Sequence, residues 1–395
     1  MNRKIKTITA AALCVSLLAG CAEETVGSTA SVPESSSQGE SSTQQTESSD
    51  AGSGDIIISF PGSDDESSVE SSGGQDSDVS GEVESGDKEL VGVDGVETNG
   101  LLKMTDSEGH VWGISFYGGG SGDDYAAYLN EFKKKVGDTV NVFNMVVPTQ
   151  SAFYLPEKFE SYNASHLNSI NNIANQLEGI INVDAYSALE EHKNEYIYTR
   201  TDHHWMPLGA YYAAKAFCEM AQIEIKDLDE YEKKEIEGFV GTMYRFSGYD
   251  VDIKNDPETF IYYKPSTDYT ATYYTTEFKE DYSARYLDSI FIYKDDPGES
   301  YTMFLGGDEK IVKIETENKN GRKLCVFKDS YGNAEIPFFV DGFEEIYVCD
   351  VRYFDNLNGP DFVKDNGITD VLFTMCTFSA VGENAERMGE NLLGK

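Results

Sequence analysis

The stretch YTRTDHHWMPLGAYYAAKAF, residues 198–217, joins a polar turn to the start of a helix. Alternating aromatic and β-branched residues at 196–199 predict a short strand before the turn. Pro207 stands where the first helical turn would lie, and the residues after it predict a helix to about Met220. One short stretch therefore contains a strand, a turn and a helix in succession.

The same succession recurs on both sides of this stretch. VNVFNMVVP, IINVD, KLCVF, EIYVCD and DVLFTMC are apolar runs typical of buried strands, whereas DDYAAYLNEFKKKVG, HLNSINNIANQLEG and ENAERMGENLL have apolar residues at helical spacing. HLNSINNIANQLEG predicts a helix that ends at Gly179. Alternation of this kind predicts an α/β fold with a mainly parallel sheet and helices on both faces.

Residues from about 235 to 320 interrupt the alternation. They are rich in Tyr, Phe and Thr, as in FIYYKP and TATYYTTEF, and predict a β-rich insertion in a domain of residues 98–395. The aromatic rings either stack on sugars or only pack across strands, and the sequence leaves both roles open.

The N-terminal sequence MNRKIKTITAAALCVSLLAGC, residues 1–21, predicts export from the cytoplasm. Basic residues precede an apolar run that is too short to span a bilayer and ends in small residues before Cys21. The pattern resembles a lipobox, so we expect lipid attachment at Cys21 and an extracytoplasmic protein anchored to the cell membrane. A short uncleaved membrane anchor is the alternative.

Residues 22–97 are dominated by Ser, Gly and acidic residues and predict a disordered tether. The chain carries a formal net charge of −39, which argues against nucleic acid and against direct adhesion to anionic lipid. The cysteines beyond the signal lack metal-ligand spacing, and we expect buried structural thiols rather than disulfides or a zinc site at Cys218, Cys325, Cys349 and Cys376.

Polar residues follow two of the predicted strands, where functional groups of parallel sheets gather. Asp202 and His204 would point the same way along an extended chain, with His203 pointing the other way. Ser330 follows the strand LCVF at a tight turn. A serine needs an imidazole to take its proton, and the imidazole needs a carboxylate to fix its tautomer, so Ser330, His204 and Asp202 are candidates for these three roles.

The motifs TDHHWMPLGAYYAAKAF, VVPTQSAFYLP, FKDSYGNAEIPFF and YVCDVRYF, spread over most of residues 100–380, resemble the DHHW protein family. That family is similar to the SGNH-hydrolase-like domains of alginate O-acetylation proteins, although typical SGNH hydrolases carry their serine first. The resemblance implies an SGNH-hydrolase-like fold, Asp202 and His204 as acid and base, and Ser330 as nucleophile. It also implies acetyl chemistry on an exported or cell-envelope polysaccharide, with a membrane acyl-donor protein as a possible partner.

The remaining candidates have two interpretations each. Arg352 either binds a substrate oxygen or pairs with Asp350, and Trp205 either packs under the turn or contacts a sugar. The Ser330 N–H is one candidate oxyanion donor, and candidates for the second are Gly306, Gly307 and Asn333. We expect the isolated imidazoles to be surface residues, namely His110, His166 and His192.

Three classes of function remain open from the sequence. The first is a serine-dependent acetylesterase or O-acetyltransferase without cofactor or metal. The second is a metal-dependent phosphoesterase with Asp202, His203 and His204 as ligands, which would need further ligands from a chain that has only five histidines. The third is a catalytically silent surface protein that binds or assembles glycan.

Overall fold

The computed structural model describes residues 94–98, 101–281, 289–308 and 310–394. The predicted signal, Cys21 and nearly all of the predicted tether lie outside these residues. Strand β1 (Asp94–Thr98) begins within the range predicted for the tether. No helix among the described residues has the length and apolar character needed to cross a membrane.

A seven-stranded sheet forms the centre of the fold, in the order β5-β4-β12-β10-β11-β9-β8. The four pairings from β5 to β11 are parallel, and β9 and β8 continue the sheet in antiparallel fashion. The predicted mainly parallel sheet is therefore confirmed. Its strands are β4 (Asn141–Val147), β5 (Ile181–Asn182), β8 (Tyr269–Tyr274), β9 (Ile311–Thr316), β10 (Lys323–Lys328), β11 (Glu345–Asp350) and β12 (Asp370–Cys376).

Alternate residues of the central strands enter two separate cores. In β10, Leu324 and Val326 pack on one face, while Cys325 and Phe327 pack on the other. This period of two is what a strand buried on both faces requires. The four cysteines are buried free thiols, as predicted.

Helices cover both faces, as the sequence predicts. The first face carries α3 (Ala185–Glu191), α4 (Pro207–Ala221) and α7 (Ile336–Phe339). The other face carries α1 (Asp123–Val136), α2 (His166–Ala174), α8 (Gly359–Asp365), α9 (Thr377–Val381) and α10 (Glu383–Leu393). Two short helices, α5 (Met243–Phe246) and α6 (Val251–Asn255), lie in the predicted insertion.

The predicted β-rich insertion contributes to two sheets. Strands β6 (Glu232–Phe239) and β7 (Glu258–Lys264) form a small antiparallel sheet, whereas β8 and β9 extend the central one. Three of its residues, Ile311, Val312 and Ile314, are buried in the central cores, which explains why these strands join the main sheet. A separate antiparallel sheet consists of β1, β2 (Leu101–Thr105) and β3 (Val111–Ser115).

Two local predictions are wrong. Residues 196–199 do not form a regular strand, since their only ladder contact among the described residues is one bridge from Tyr198 to Trp205. The Tyr198 hydroxyl donates to the Pro148 carbonyl at 2.6 Å, so core packing rather than a neighbouring strand holds this segment. Helix α2 ends at Ala174 instead of Gly179. The N–H groups of Gln176 and Leu177 bond the carbonyls three residues earlier, so the α-helical hydrogen-bond pattern stops there.

Candidate active site

The DHH segment forms a tight loop between Tyr198 and Trp205, at the start of helix α4. Within it, the Thr199 hydroxyl donates to the carbonyls of Asp202 at 2.9 Å and His204 at 2.7 Å. From outside, the Gln150 amide donates to the carbonyls of Thr199 at 2.9 Å and Asp202 at 2.6 Å. Because its carbonyls have these partners, the loop stays compact without a strand on either side.

A buried carboxylate holds the loop on its other side. Glu258, at the start of β7, accepts the backbone N–H groups of Arg200 at 2.8 Å and Thr201 at 2.7 Å. It also accepts the hydroxyls of Thr201 and Tyr196. Burial raises the pKa of Glu258, although these donors oppose the increase.

The Ser330 turn begins where strand β10 ends. Asp329 accepts the N–H of Tyr331 at 2.9 Å with one oxygen and the N–H of Cys376 at 3.0 Å with the other. Residues 330–335 then form a 3-10 helix. A Cβ atom at Gly332 would lie 2.7 Å from the Lys328 Cβ, so the turn needs glycine to pack this closely against the strand.

The two segments bring the three predicted catalytic residues together. His204 Nε2 lies 2.8 Å from Ser330 Oγ, and His204 Nδ1 lies 2.6 Å from Asp202 Oδ1. Asp202 and His204 are buried, whereas Ser330 is half-buried. This is the geometry of a nucleophile, a base and an orienting acid in series.

Asp202 is held in its ionised form. The backbone N–H and the hydroxyl of Thr242 donate to its second oxygen, Oδ2, at 2.8 and 2.9 Å. Burial alone would raise the pKa of Asp202, but electrostatic interactions with the His203 and His204 rings, and the hydrogen bonds from His204 and the Thr242 backbone, lower it below its usual range. A Cβ atom at Gly241 would lie 2.4 Å from Oδ2, so this approach also depends on a glycine.

His203 does not point away from Asp202 and His204, as strict alternation predicts. Its ring lies 3.8 Å from the His204 ring, and its Nδ1 lies 2.6 Å from the Thr242 hydroxyl and 3.7 Å from Asp202 Oδ1. The prediction is wrong because residues 201–204 bend instead of continuing as a strand. Desolvation, followed by the neighbouring His204, lowers the pKa of His203 to about 3.

Aromatic side chains fasten the DHH loop to the Ser330 turn. Tyr301 stacks on the His204 ring at 3.8 Å and 7° and donates its hydroxyl to the carbonyls of Ser330 and Tyr331. Trp205 donates to the Tyr331 carbonyl at 3.0 Å, and Tyr331 donates to the His203 carbonyl. Tyr301 was missed by the sequence analysis, since nothing in GESYTMF distinguishes it from the other tyrosines of the insertion.

The two predicted substrate contacts have structural roles instead. The Arg352 guanidinium pairs with Asp350 and Asp308 at 2.7 and 2.8 Å, which is its salt-bridge alternative. Trp205 is fully buried, so it packs under the turn and does not reach a sugar. Among the candidate oxyanion donors, the Asn333 amide already donates to Asp308 at 2.8 Å.

The isolated histidines have different environments. His110 is exposed, as predicted, and His192 is half-buried against Tyr212. The prediction for His166 is wrong, because its ring is 2% exposed and stacks on Tyr117 at 4.1 Å. Its position at the start of an amphipathic helix gave no sign that this face turns inward.

Three side chains at the site have the arrangement of possible metal ligands. One ligand atom each of Asp202, His203 and His204 lies within 4.8 Å of the others, and no second such group occurs in the described part of the chain. His203 Nδ1 contacts the Thr242 hydroxyl, and the two ring nitrogens of His204 contact Asp202 and Ser330. The same contacts therefore account for the cluster without an ion.

Comparison with known proteins gives the following matches. The sequence model of the DHHW protein family matches residues 65–349. The crystal structure of a DHHW family protein from Eubacterium siraeum DSM 15702 is 70% identical with a TM-score of 0.75, and the match covers 77% of this chain and 100% of that one. No curated protein matches significantly.

Two more distant structures match the chain, and the first of them shares its fold. Bacillus cereus PatB1, solved with a sulfonyl adduct, has a TM-score of 0.58 at 17% identity, over 74% of this chain and 98% of that one. The O-acetyltransferase domain of Pseudomonas putida AlgJ has a TM-score of 0.41 at 12% identity, over 73% and 99%. The predicted SGNH-hydrolase-like α/β fold is confirmed.

Proposed function

This chain belongs to the DHHW protein family, and from that membership and the geometry of its site we propose that it is a serine-dependent acyl enzyme. Ser330 is the nucleophile, His204 the general base, and Asp202 the acid that orients His204. The substrates are acetyl esters on an extracellular or cell-envelope polysaccharide, by analogy with the O-acetylation proteins that the motifs resemble.

The observation that carries this proposal is the continuous hydrogen-bonded series from Ser330 to Asp202. Each distance is within hydrogen-bonding range, at 2.8 and 2.6 Å, and the ring between them is clamped by Tyr301. A protein of this fold that had lost its activity would have no need to keep three side chains in this hydrogen-bonded arrangement. The geometry therefore favours an enzyme over a glycan-binding protein that has lost activity.

In the first half of the reaction, the Ser330 hydroxyl attacks the carbonyl carbon of the acyl ester. His204 Nε2 takes the hydroxyl proton, and the resulting imidazolium is stabilised by the Asp202 carboxylate at Nδ1. The tetrahedral intermediate then expels the alcohol of the donor, which leaves with the proton from His204. Ser330 now carries the acyl group.

In the second half, a hydroxyl group attacks the acyl-Ser330 ester, and His204 removes its proton. The second tetrahedral intermediate then expels the Ser330 oxygen, which takes the proton back from His204. If the hydroxyl belongs to a sugar, the reaction is acetyl transfer, whereas water gives hydrolysis. The oxyanion forms beside the Ser330 N–H, which is the first donor of a 3-10 helix and has no partner within that helix. The same site thus supports an O-acetyltransferase and an acetylesterase.

We also propose that Cys21 carries a lipid and that the residues between Cys21 and strand β1 act as a flexible tether. A lipid anchor would keep the enzyme at the outer face of the cell membrane, where exported polysaccharide passes. A membrane protein that donates acyl groups would be a fitting partner for the transferase reaction.

Covalent labelling of the full chain tests the proposed nucleophile. A fluorophosphonate and, because PatB1 forms a sulfonyl adduct, a sulfonyl fluoride are the probes, with intact mass as the readout. We expect one adduct on the wild type and on the control Ser187→Ala, and none on Ser330→Ala. His204→Ala should label at least about 10³-fold more slowly with an unchanged melting temperature.

Equal labelling of Ser330→Ala and the wild type would contradict the proposal. Loss of labelling together with a large fall in melting temperature for both variants would mean that the cluster is structural. Stoichiometric zinc or manganese in the purified protein, lost in His203→Ala, would favour the metal-dependent alternative.

A further inference from the structure

A polar cavity of about 230 Å³ opens at the carboxyl edge of the sheet, beside strand β4. It lies between the 3-10 helix Gln150–Ala152, the 3-10 helix Glu157–Tyr162 and the helices α2 and α3. The volume is below the roughly 300 Å³ of the smallest drug-sized pockets, so it suits a single small ring.

Two buried polar side chains form the floor of the cavity. Ser151 Oγ lies 3.0 Å from His166 Nε2, and His166 Nδ1 lies 2.7 Å from the Thr377 hydroxyl. This is not a second catalytic triad, because a hydroxyl replaces the carboxylate and burial lowers the pKa of His166 to about 3. A serine hydroxyl has one donor and two acceptor positions, so Ser151 can still bond a ligand.

Aromatic rings form one wall of the same cavity. Phe153 and Tyr186 are half-buried, with their centroids 5.1 Å apart and their planes at 49°. Rings exposed in this way pair with the C–H face of a pyranose, while the hydroxyls of the sugar need polar partners such as Ser151. The cavity offers both kinds of surface.

The cavity is connected to the proposed catalytic site on two sides. Gln150, next to Ser151, donates to the carbonyls of Thr199 and Asp202 in the DHH loop. Thr377, which bonds His166, follows Cys376, whose N–H donates to Asp329 beside Ser330. The cavity and Ser330 therefore lie at the same carboxyl edge of the sheet, where β12 separates β4 from β10.

The charges around the cavity select against acidic ligands. Glu160 is exposed at its rim, and the lining contains neither lysine nor arginine among the described residues. A carboxylate on the ligand would face a like charge and find no cation, which disfavours its binding.

We propose that this cavity is an acceptor subsite that binds one uncharged pyranose unit of the glycan, and that it excludes uronic acids. The inference rests on the proposed function, because it names the acceptor of the acyl group on Ser330. This preference for an uncharged sugar distinguishes the protein from an enzyme that acts on a polyuronate.

Saturation-transfer NMR on the full chain tests the subsite, with methyl β-glucopyranoside and methyl β-glucuronide as probes. We expect a saturation-transfer signal from the glucoside, and we expect the glucuronide to bind at least about fivefold more weakly. Tyr186→Ala should abolish the saturation-transfer signal of the glucoside, whereas Ser330→Ala should keep that signal. Glu160→Lys should raise glucuronide binding by about fivefold, whereas the control Glu157→Lys on the same 3-10 helix should not.

Three results would overturn the subsite: no saturation-transfer signal from the glucoside, equal binding of both glycosides, or an unchanged glucoside signal in Tyr186→Ala. Labelling of Ser330 is measured on the same samples and separates the two proposals. Labelling without sugar binding refutes the subsite alone. Sugar binding without labelling refutes the acyl enzyme and, with it, the acceptor role of the cavity, and leaves only a sugar-binding cavity.

Discussion

At the scale of single residues, the three side chains that meet at the proposed site were easier to predict than the residues that support them. Asp202, His204 and Ser330 could be found because each follows a predicted strand and belongs to a quoted motif. Thr242 and Tyr301 could not, since both contact the triad from the predicted insertion, where nothing in the sequence distinguishes them from the other threonines and tyrosines. Their contribution depends on tertiary contacts between positions far apart in the chain.

His166 gives a residue-level prediction about pH. Its pKa is lowered to about 3 by burial, whereas an imidazole in the unfolded chain titrates near 6.5. Between these values the unfolded state binds more protons, so this residue makes the free energy of unfolding fall as the pH falls. We expect His166→Gln to remove up to about 1.4 kcal/mol per pH unit of that dependence.

Urea unfolding at a series of pH values between about 4 and 7 measures this effect. The control Asn168→Gln, at an exposed position of the same helix, should give a curve parallel to the wild type. A parallel curve for His166→Gln as well would show that His166 does not titrate differently on folding.

At the scale of secondary-structure elements, the DHH loop is a hairpin-like turn supported by strand β7. The carboxylate of Glu258 accepts the backbone N–H groups of Arg200 and Thr201, directly after the segment 196–199. Glu258→Ala would leave the N–H groups of Arg200 and Thr201 buried without an acceptor. We expect a loss of about 2–4 kcal/mol in the free energy of unfolding, together with slower labelling of Ser330.

Chemical denaturation and the labelling rate are the measurements for this loop. Glu258→Gln keeps an acceptor oxygen, so its free energy of unfolding and its labelling rate should fall less than those of Glu258→Ala. The free energy of unfolding of Glu235→Ala, on the exposed side of β6, should stay within about 0.5 kcal/mol of the wild type. If Glu258→Ala were as stable and as reactive as the wild type, Glu258 would not support the loop.

Element predictions succeeded where the apolar pattern was long and unambiguous. Strands β4, β10, β11 and β12 and helices α1, α4 and α10 lie where the sequence predicts them. The strand prediction for residues 196–199 was wrong because an alternating pattern shows that a segment is partly buried, not that another strand lies beside it. The predicted end of α2 was wrong because the residues after Ala174 are compatible with both a helix and a loop.

At the scale of the whole molecule, the sequence predicted the sheet and its helical layers but not the origin of its edge. Strands β8 and β9 come from the predicted insertion, and their antiparallel pairing with β11 depends on long-range contacts. The pairing of β1, β2 and β3 in a separate sheet was also not foreseen, because short strands without alternation give a weak signal.

The lipid anchor is testable on the whole protein. If Cys21 carries the lipid, Cys21→Ala should move the protein from the membrane fraction to the soluble fraction, while its reactivity with a fluorophosphonate stays unchanged. Cys14→Ala is the matched control, because Cys14 lies in the predicted signal ahead of the modified position. Membrane retention of Cys21→Ala would instead support an uncleaved apolar anchor.

The position of β12 in the sheet has a consequence for the order of folding. This strand lies between β4 and β10, yet it follows both in the chain, at residues 370–376. Until it is synthesised, β4 has no bond to the strand that carries Ser330, and the two halves of the sheet stay apart. Ser330 and His204 are themselves 126 positions apart. A growing chain therefore gains His204, Ser330 and the strand that joins β4 to β10 in separate steps, and we expect reactivity only when the last of them has been made.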